Sequence, residues 1–172
     1  MAELIRFEKV DLPALRLIGK PIVASMSDMS NNPIPAFWQS CFADGSLTRL
    51  EAMAEHIHDP SYVGCMCRWG GPDGTFTYII GLLMKAGTPA PEGYDFEDMA
   101  AGSAAVGWIK GKEPAVYQVS HVKTESAMEA QGLVMDPDRQ WCMELYNCPR
   151  FTTPDENGDK ILDYYIPCVA KA

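Results

Sequence analysis

The chain is short of positive charge: 14 Lys and Arg stand against 23 Asp and Glu, a net charge of −9 with a pI near 4.7. No basic cluster is present, so the surface offers nothing to a phosphate backbone, and a nucleic-acid partner is not expected. Long apolar runs are also missing. The longest, Tyr78 to Met84, is far too short to cross a bilayer. Met1 to Lys9 is charged throughout and lacks the apolar stretch of a secretory signal. These absences lead to the expectation of a cytoplasmic protein without membrane contact, whose six cysteines are reduced.

Catalytic and metal signatures are scarce as well. There are only three histidines. His56 and His58 are two residues apart at a helix end, which makes a poor chelate, and His121 lies mid-helix with no evident carboxylate partner. Cys65 and Cys67 share one face of a strand without a second pair at zinc spacing. Cys142 and Cys148 are six apart across a strand end, and small buried thiols are the preferred reading for the set. No Ser-His-Asp order or glycine-rich phosphate loop stands out, so neither a metal nor any other cofactor is expected.

What the chain does have is a 47% hydrophobic fraction, four tryptophans and seven tyrosines, enough for a core in a single domain of 172 residues. Element order repeats. A strand over Leu15–Ala24 leads to a proline-led helix from Ala36 to His56, with Gly45 the point where it kinks or splits. A strand over Tyr62–Trp69, the turn Gly70-Gly71-Pro72-Asp73-Gly74 and a strand over Thr75–Lys85 complete the first unit. The second runs from a strand at Ala104–Ile109 through a helix at Ala115–Gln131, closed by Gly132. Strands at Arg139–Asn147 and Lys160–Val169 follow, with a turn over Pro154–Asp159 between them. The expectation is an α+β fold of two pseudo-symmetric strand-helix-strand-strand modules packed side by side, covering about 1–88 and 96–172.

The most informative segment is Trp141-Cys142-Met143-Glu144-Leu145-Tyr146. Strand alternation puts Trp141, Met143 and Leu145 on one face, and Cys142, Glu144 and Tyr146 on the other. With both faces covered, Glu144 is a carboxylate among apolar groups, where an unpaired charge costs several kcal/mol. A cationic ligand or a protonated carboxyl would resolve the conflict; on a half-exposed strand Glu144 would simply face water. Tyr146 shares its face.

Several further segments join that one: Leu17-Ile18-Gly19-Lys20, Ile34-Pro35-Ala36-Phe37-Trp38, Thr77-Tyr78-Ile79-Ile80-Gly81, Ala90-Pro91-Glu92-Gly93-Tyr94 and Asp163-Tyr164-Tyr165-Ile166-Pro167. In their joint order and spacing, with Met143-Glu144-Leu145-Tyr146, they resemble the GyrI-like family, the effector-binding domains of multidrug-responsive transcription regulators and their free-standing relatives. The resemblance implies the two-module fold, with a ligand cleft between the modules lined by aromatics and a glutamate that matches Glu144. Tyr78 and Trp38 enter the site through these motifs. Trp69, at a strand end beside a glycine-rich turn, and Trp108 complete the candidate walls, since their faces suit stacking and cation–π contacts.

The function these observations imply is a free-standing receptor for amphipathic, cationic or planar aromatic small molecules. There is no room for a helix-turn-helix, so the chain is not expected to contact DNA itself. The alternative, also implied by the resemblance, is a hydrolase that opens the cyclopropane of DNA-alkylating natural products with Glu144 as general base. A third is a protein–protein inhibitor of a gyrase-like target.

Overall fold

The computed structural model describes residues 1–27 and 29–172. In chain order it holds β1 (Glu3–Leu12), β2 (Leu15–Ser25), α1 (Ile34–Ala43), α2 (Ser46–Glu51), β3 (Ile57–Gly71), β4 (Thr75–Lys85), β5 (Asp95–Met99), β6 (Gly102–Gly111), α3 (Ala115–Ala130), β7 (Leu133–Met135), β8 (Trp141–Tyr146) and β9 (Lys160–Ala170). The fold class is α+β, as expected, with antiparallel strand pairing. The chain divides into two compact units, Ala14–Ala100 and Met1–Pro13 with Ala101–Ala172.

In the Ala14–Ala100 unit the strand order is β3-β4-β2-β5. Alternation sends Ile18, Ile22 and Ala24 of β2 and Phe76, Tyr78, Ile80, Leu82 and Met84 of β4 to one face, where they pack with Leu47, Leu50, Cys41 and Trp38 of the helices. Fully burying one such side chain is worth about 1.5–3 kcal/mol, so this face is what holds the short helices down. Prolines open α1, and Gly45 ends it in the left-handed region at φ 77°. The single helix expected to His56 is therefore two. The close approach of β2 and β4 needs glycine: a Cβ on Gly19 would lie 2.1 Å from the Ile80 carbonyl oxygen.

In the other unit the order is β1-β6-β9-β8, with β7 on the far end of β9. α3 buries Val116, Ser120, Thr124 and Met128, an i, i+4 stripe. It comes close to the sheet because Gly107 of β6 has no side chain; a Cβ there would lie 2.2 Å from Thr124 Oγ1.

Neither boundary strand, β1 or β5, is among the elements expected from the sequence. β1 precedes β2 but pairs with β6, and β5 precedes β6 but pairs with β2. The unit expected to open at residue 1 opens at Ala14, and the second gains the first 13 residues. Backbone pairing over so long a stretch of chain leaves no local pattern to read.

Candidate functional site

Glu144 lies on β8, directly opposite Tyr164 of β9, which in turn pairs with Gly107 of β6. Cross-strand partners share a face, and Tyr164 and Gly107 both face α3: Tyr164 Oη is 3.1 Å from His121 Nδ1, and Gly107 meets Thr124. Glu144 therefore belongs to the helix side of the sheet. It is half-buried, as is Tyr146 two residues on, while Trp141, Met143 and Leu145 are buried.

Tyr146 donates its hydroxyl to Glu144 Oε2 at 2.7 Å. The Tyr146 ring meets Phe151 edge-on, with centroids 4.8 Å apart, and Phe151 lies 6.4 Å from Tyr117 of α3. Tyr117 donates to Glu113 at 2.7 Å, and Glu113 pairs with Lys160. Burial, then the bond to Glu113, and then the charges of Glu113 and Glu144 hold the Tyr117 phenol well above the ordinary range. It stays protonated, a fixed donor.

Beside its buried stripe, α3 carries a second one, Tyr117, His121 and Glu125, facing β8 and β9. Tyr117 reaches Phe151, His121 reaches Tyr164, and the Glu125 charge acts on Cys142, whose thiol is pushed up to about 12 mainly by burial. His121 Nε2 is also 3.8 Å from Glu125 Oε1 at i+4, so the histidine judged to lack a carboxylate partner has one a turn away. The sequence reading does not bring Tyr117, Phe151 and His121 into this cluster. The i, i+4 spacing of 117, 121 and 125 was the signal available.

Trp108 stands elsewhere. It pairs with Asp163, which pairs with Leu145, so it lies on the opposite face from Glu144. The guanidinium carbons of Arg6 and Arg150 sit 4.6 and 4.1 Å from its ring centroid, and Arg150 forms an ion pair with the buried Asp163. The cations stacked on this tryptophan are the protein's own.

Trp38, Tyr78 and Trp69 belong to the Ala14–Ala100 unit. Trp38 Nε1 donates to Tyr78 Oη at 3.2 Å, and Tyr78 is buried. Trp69 is 39% exposed and stacks on Phe76 at 4.8 Å. Its neighbour Arg68 adopts φ 53° and is fastened to Asp95, Glu97 and the Phe96 carbonyl, which fixes the strand end that carries Trp69.

Five cysteines are buried and Cys148 is exposed. Among the described residues, no group of three or more His, Cys, Asp or Glu is placed to hold a metal ion, and no helix is long and apolar enough to cross a membrane.

The half-buried Glu144 carboxylate, bonded by Tyr146, thus stands beside the rings of Phe151 and Tyr117. The model of the GyrI-like small molecule binding domain matches residues 6–168, and the chain belongs to that family. Among solved structures it is similar to SAV2435 bound to tetraphenylphosphonium, with 18% identity, 96% of this chain and 94% of that one covered, and a TM-score of 0.72. A putative transcription regulation protein from Staphylococcus aureus MU50 is 20% identical over 97% and 99%, with a TM-score of 0.66. A hydrolase from Listeria innocua is 13% identical over 95% and 92%, with a TM-score of 0.50. At these identities the likeness is one of fold. No curated protein sequence matches the chain.

Proposed function

We propose that this small-molecule binding domain takes amphipathic organic cations, planar or aryl-substituted, and that Glu144 is the countercharge. The observation that supports this best is the Tyr146–Glu144 hydrogen bond on the helix side of β8, beside Phe151 and Tyr117. The tyrosine orients the carboxylate, and the rings supply apolar area and π faces for the rest of the ligand. The acidic surface adds to this by concentrating cations around the protein. The strand order common to the two units, an added edge strand followed by the first, third and second strands of the module, supports a duplicated module as the origin of the domain.

Titration with tetraphenylphosphonium tests the reading. Glu144→Gln preserves shape and removes charge, and a charge-assisted contact is worth about 1.5–3 kcal/mol, so Kd should rise about 10- to 150-fold. Unchanged affinity would return Glu144 to the role of a solvent-facing strand residue. Incubation with a cyclopropane-containing alkylator, followed by mass spectrometry, separates the hydrolase alternative: turnover lost in Glu144→Gln would favour it, and unchanged compound the binder.

A further inference from the structure

β1 ends the strand order in one unit and β5 in the other, and the two edges differ. β5 is five residues long and carries Asp95, Glu97 and Asp98, so it repels an antiparallel copy of itself, a common protection of an edge. β1 is ten residues long and mixes apolar side chains with both signs of charge: Glu3-Leu4-Ile5-Arg6-Phe7-Glu8-Lys9-Val10-Asp11-Leu12. None of the ten is fully buried, and among the described residues β1 pairs with β6 alone. Its other side presents unpaired backbone groups, a template for one more strand. A bulge at Ile5 breaks the register, but residues 6–12 run regularly along β6. Phe7, Lys9 and Asp11, opposite Gly107, Ala105 and Ser103, share the α3 face. Beside them runs a groove of about 330 Å³ lined by Phe7, Glu8, Lys9, Gln131 and Leu133.

Charge selects the occupant. In a two-fold antiparallel pair one residue must face its own copy, because paired residues share a face and pair types alternate along the ladder. Centring on Arg6, Glu8, Lys9 or Asp11 would set a charge against itself. Centring on Phe7 opposes Arg6 and Glu8, but it meets the Ile5 bulge after one pair on either side, and Arg6 is already held by Glu8 and the Trp108 ring. Centring on Val10 keeps residues 8–12 regular, sets Val10 on its copy and brings Lys9 opposite Asp11 twice. Lys9 is exposed and has no ion-pair partner among the described residues. Asp11 accepts the Ser103 hydroxyl on Oδ1 at 2.7 Å, and its second oxygen remains to take a further donor. The same register lays the partner's Pro13 on Phe7, at the groove. We propose that β1 is a self-association edge, pairing antiparallel with β1 of a second copy about Val10 and locked by two Lys9–Asp11 ion pairs. The interface is small, and two chains of net charge −9 repel each other, so the dimer forms with a Kd of about 10–100 μM.

Sedimentation velocity of the full chain over a concentration series tests this. The wild type should pass from monomer to dimer. Lys9→Asp and Asp11→Lys each set like charges together twice, by symmetry, and should raise the dimer Kd about tenfold or more. The double variant Lys9→Asp with Asp11→Lys restores both pairs and should recover the wild-type Kd, which also shows that these exposed changes leave the fold intact. Val10→Cys, made in a Cys148→Ser background, should crosslink to its own copy on mild oxidation, while Phe7→Cys in the same background should not. A chain that stays monomeric at every concentration would overturn the proposal and leave the edge to a strand from another protein. A dimer indifferent to the single charge changes, or a crosslink at Phe7 rather than Val10, would overturn it equally.

Discussion

Gly64→Ala should destabilise the protein by about 2–3 kcal/mol, although it adds a single methyl group. Gly64 sits on β3 opposite Ile80, on the face that packs against α1. A Cβ there would lie 1.8 Å from Tyr78 Oη, 2.5 Å from Tyr78 Cζ and 3.3 Å from Trp38 Cζ2. The ring must retreat, yet Tyr78 is 2% exposed and its strand neighbours are Met66 and Ile22. Overpacking of this kind costs about 1–3 kcal/mol, and loss of the Trp38–Tyr78 hydrogen bond adds about 0.5–1.5 kcal/mol. The smaller unfolded-state entropy of alanine returns about 0.4–1 kcal/mol. Urea denaturation followed by circular dichroism measures the difference.

A second variant isolates the cause. Tyr78→Ala alone should cost about 3–5 kcal/mol, as for other buried aromatics. Adding Gly64→Ala to it should cost nothing further, because the atoms that clash are gone. A Gly64→Ala midpoint within 0.5 kcal/mol of wild type (about the scatter of additivity), or costs that simply add in the double variant, would refute the argument.

Asp163→Asn should cost about 3 kcal/mol, because it strips the partner from Arg150 at a residue only 1% exposed; a change below about 1 kcal/mol in urea midpoint experiments, the range of surface pairs, would contradict this. Asp95 and Asp136 are held below the usual carboxylate range, chiefly by hydrogen bonds from Arg68 and Arg139. Their folded values are depressed, so the stability they add is complete above the unfolded value of about 4 and is lost as pH falls through the folded values. The acid limb of the stability curve should flatten in Asp136→Asn. Thiol titration should find six reactive groups in the denatured protein, but only Cys148 reacting quickly in the native state.

Local pattern by itself determined most of the elements. β4 spans the expected residues, α3 ends one residue before its predicted end, and the glycine-rich turn before β4 lies where its composition put it. The alternation that set Glu144 and Tyr146 against Trp141, Met143 and Leu145 is the alternation observed, since a period of two is a property of the strand backbone alone. What tertiary structure decided is which strands meet and therefore which side chains share a face. β1 and β5 each join a strand far along the chain, and nothing in ten or five residues encodes a distant edge. Register then separated Trp108 from Glu144, because its partner Asp163 sits one residue from Tyr164 and one residue in a strand reverses the face. It also brought Tyr117 and Phe151 beside Tyr146, and Glu51 to Tyr62, from segments whose sequences carry no mark of each other. A carboxylate in a strand is visible in the sequence; the rings and hydroxyls gathered around it exist only once the sheet has formed.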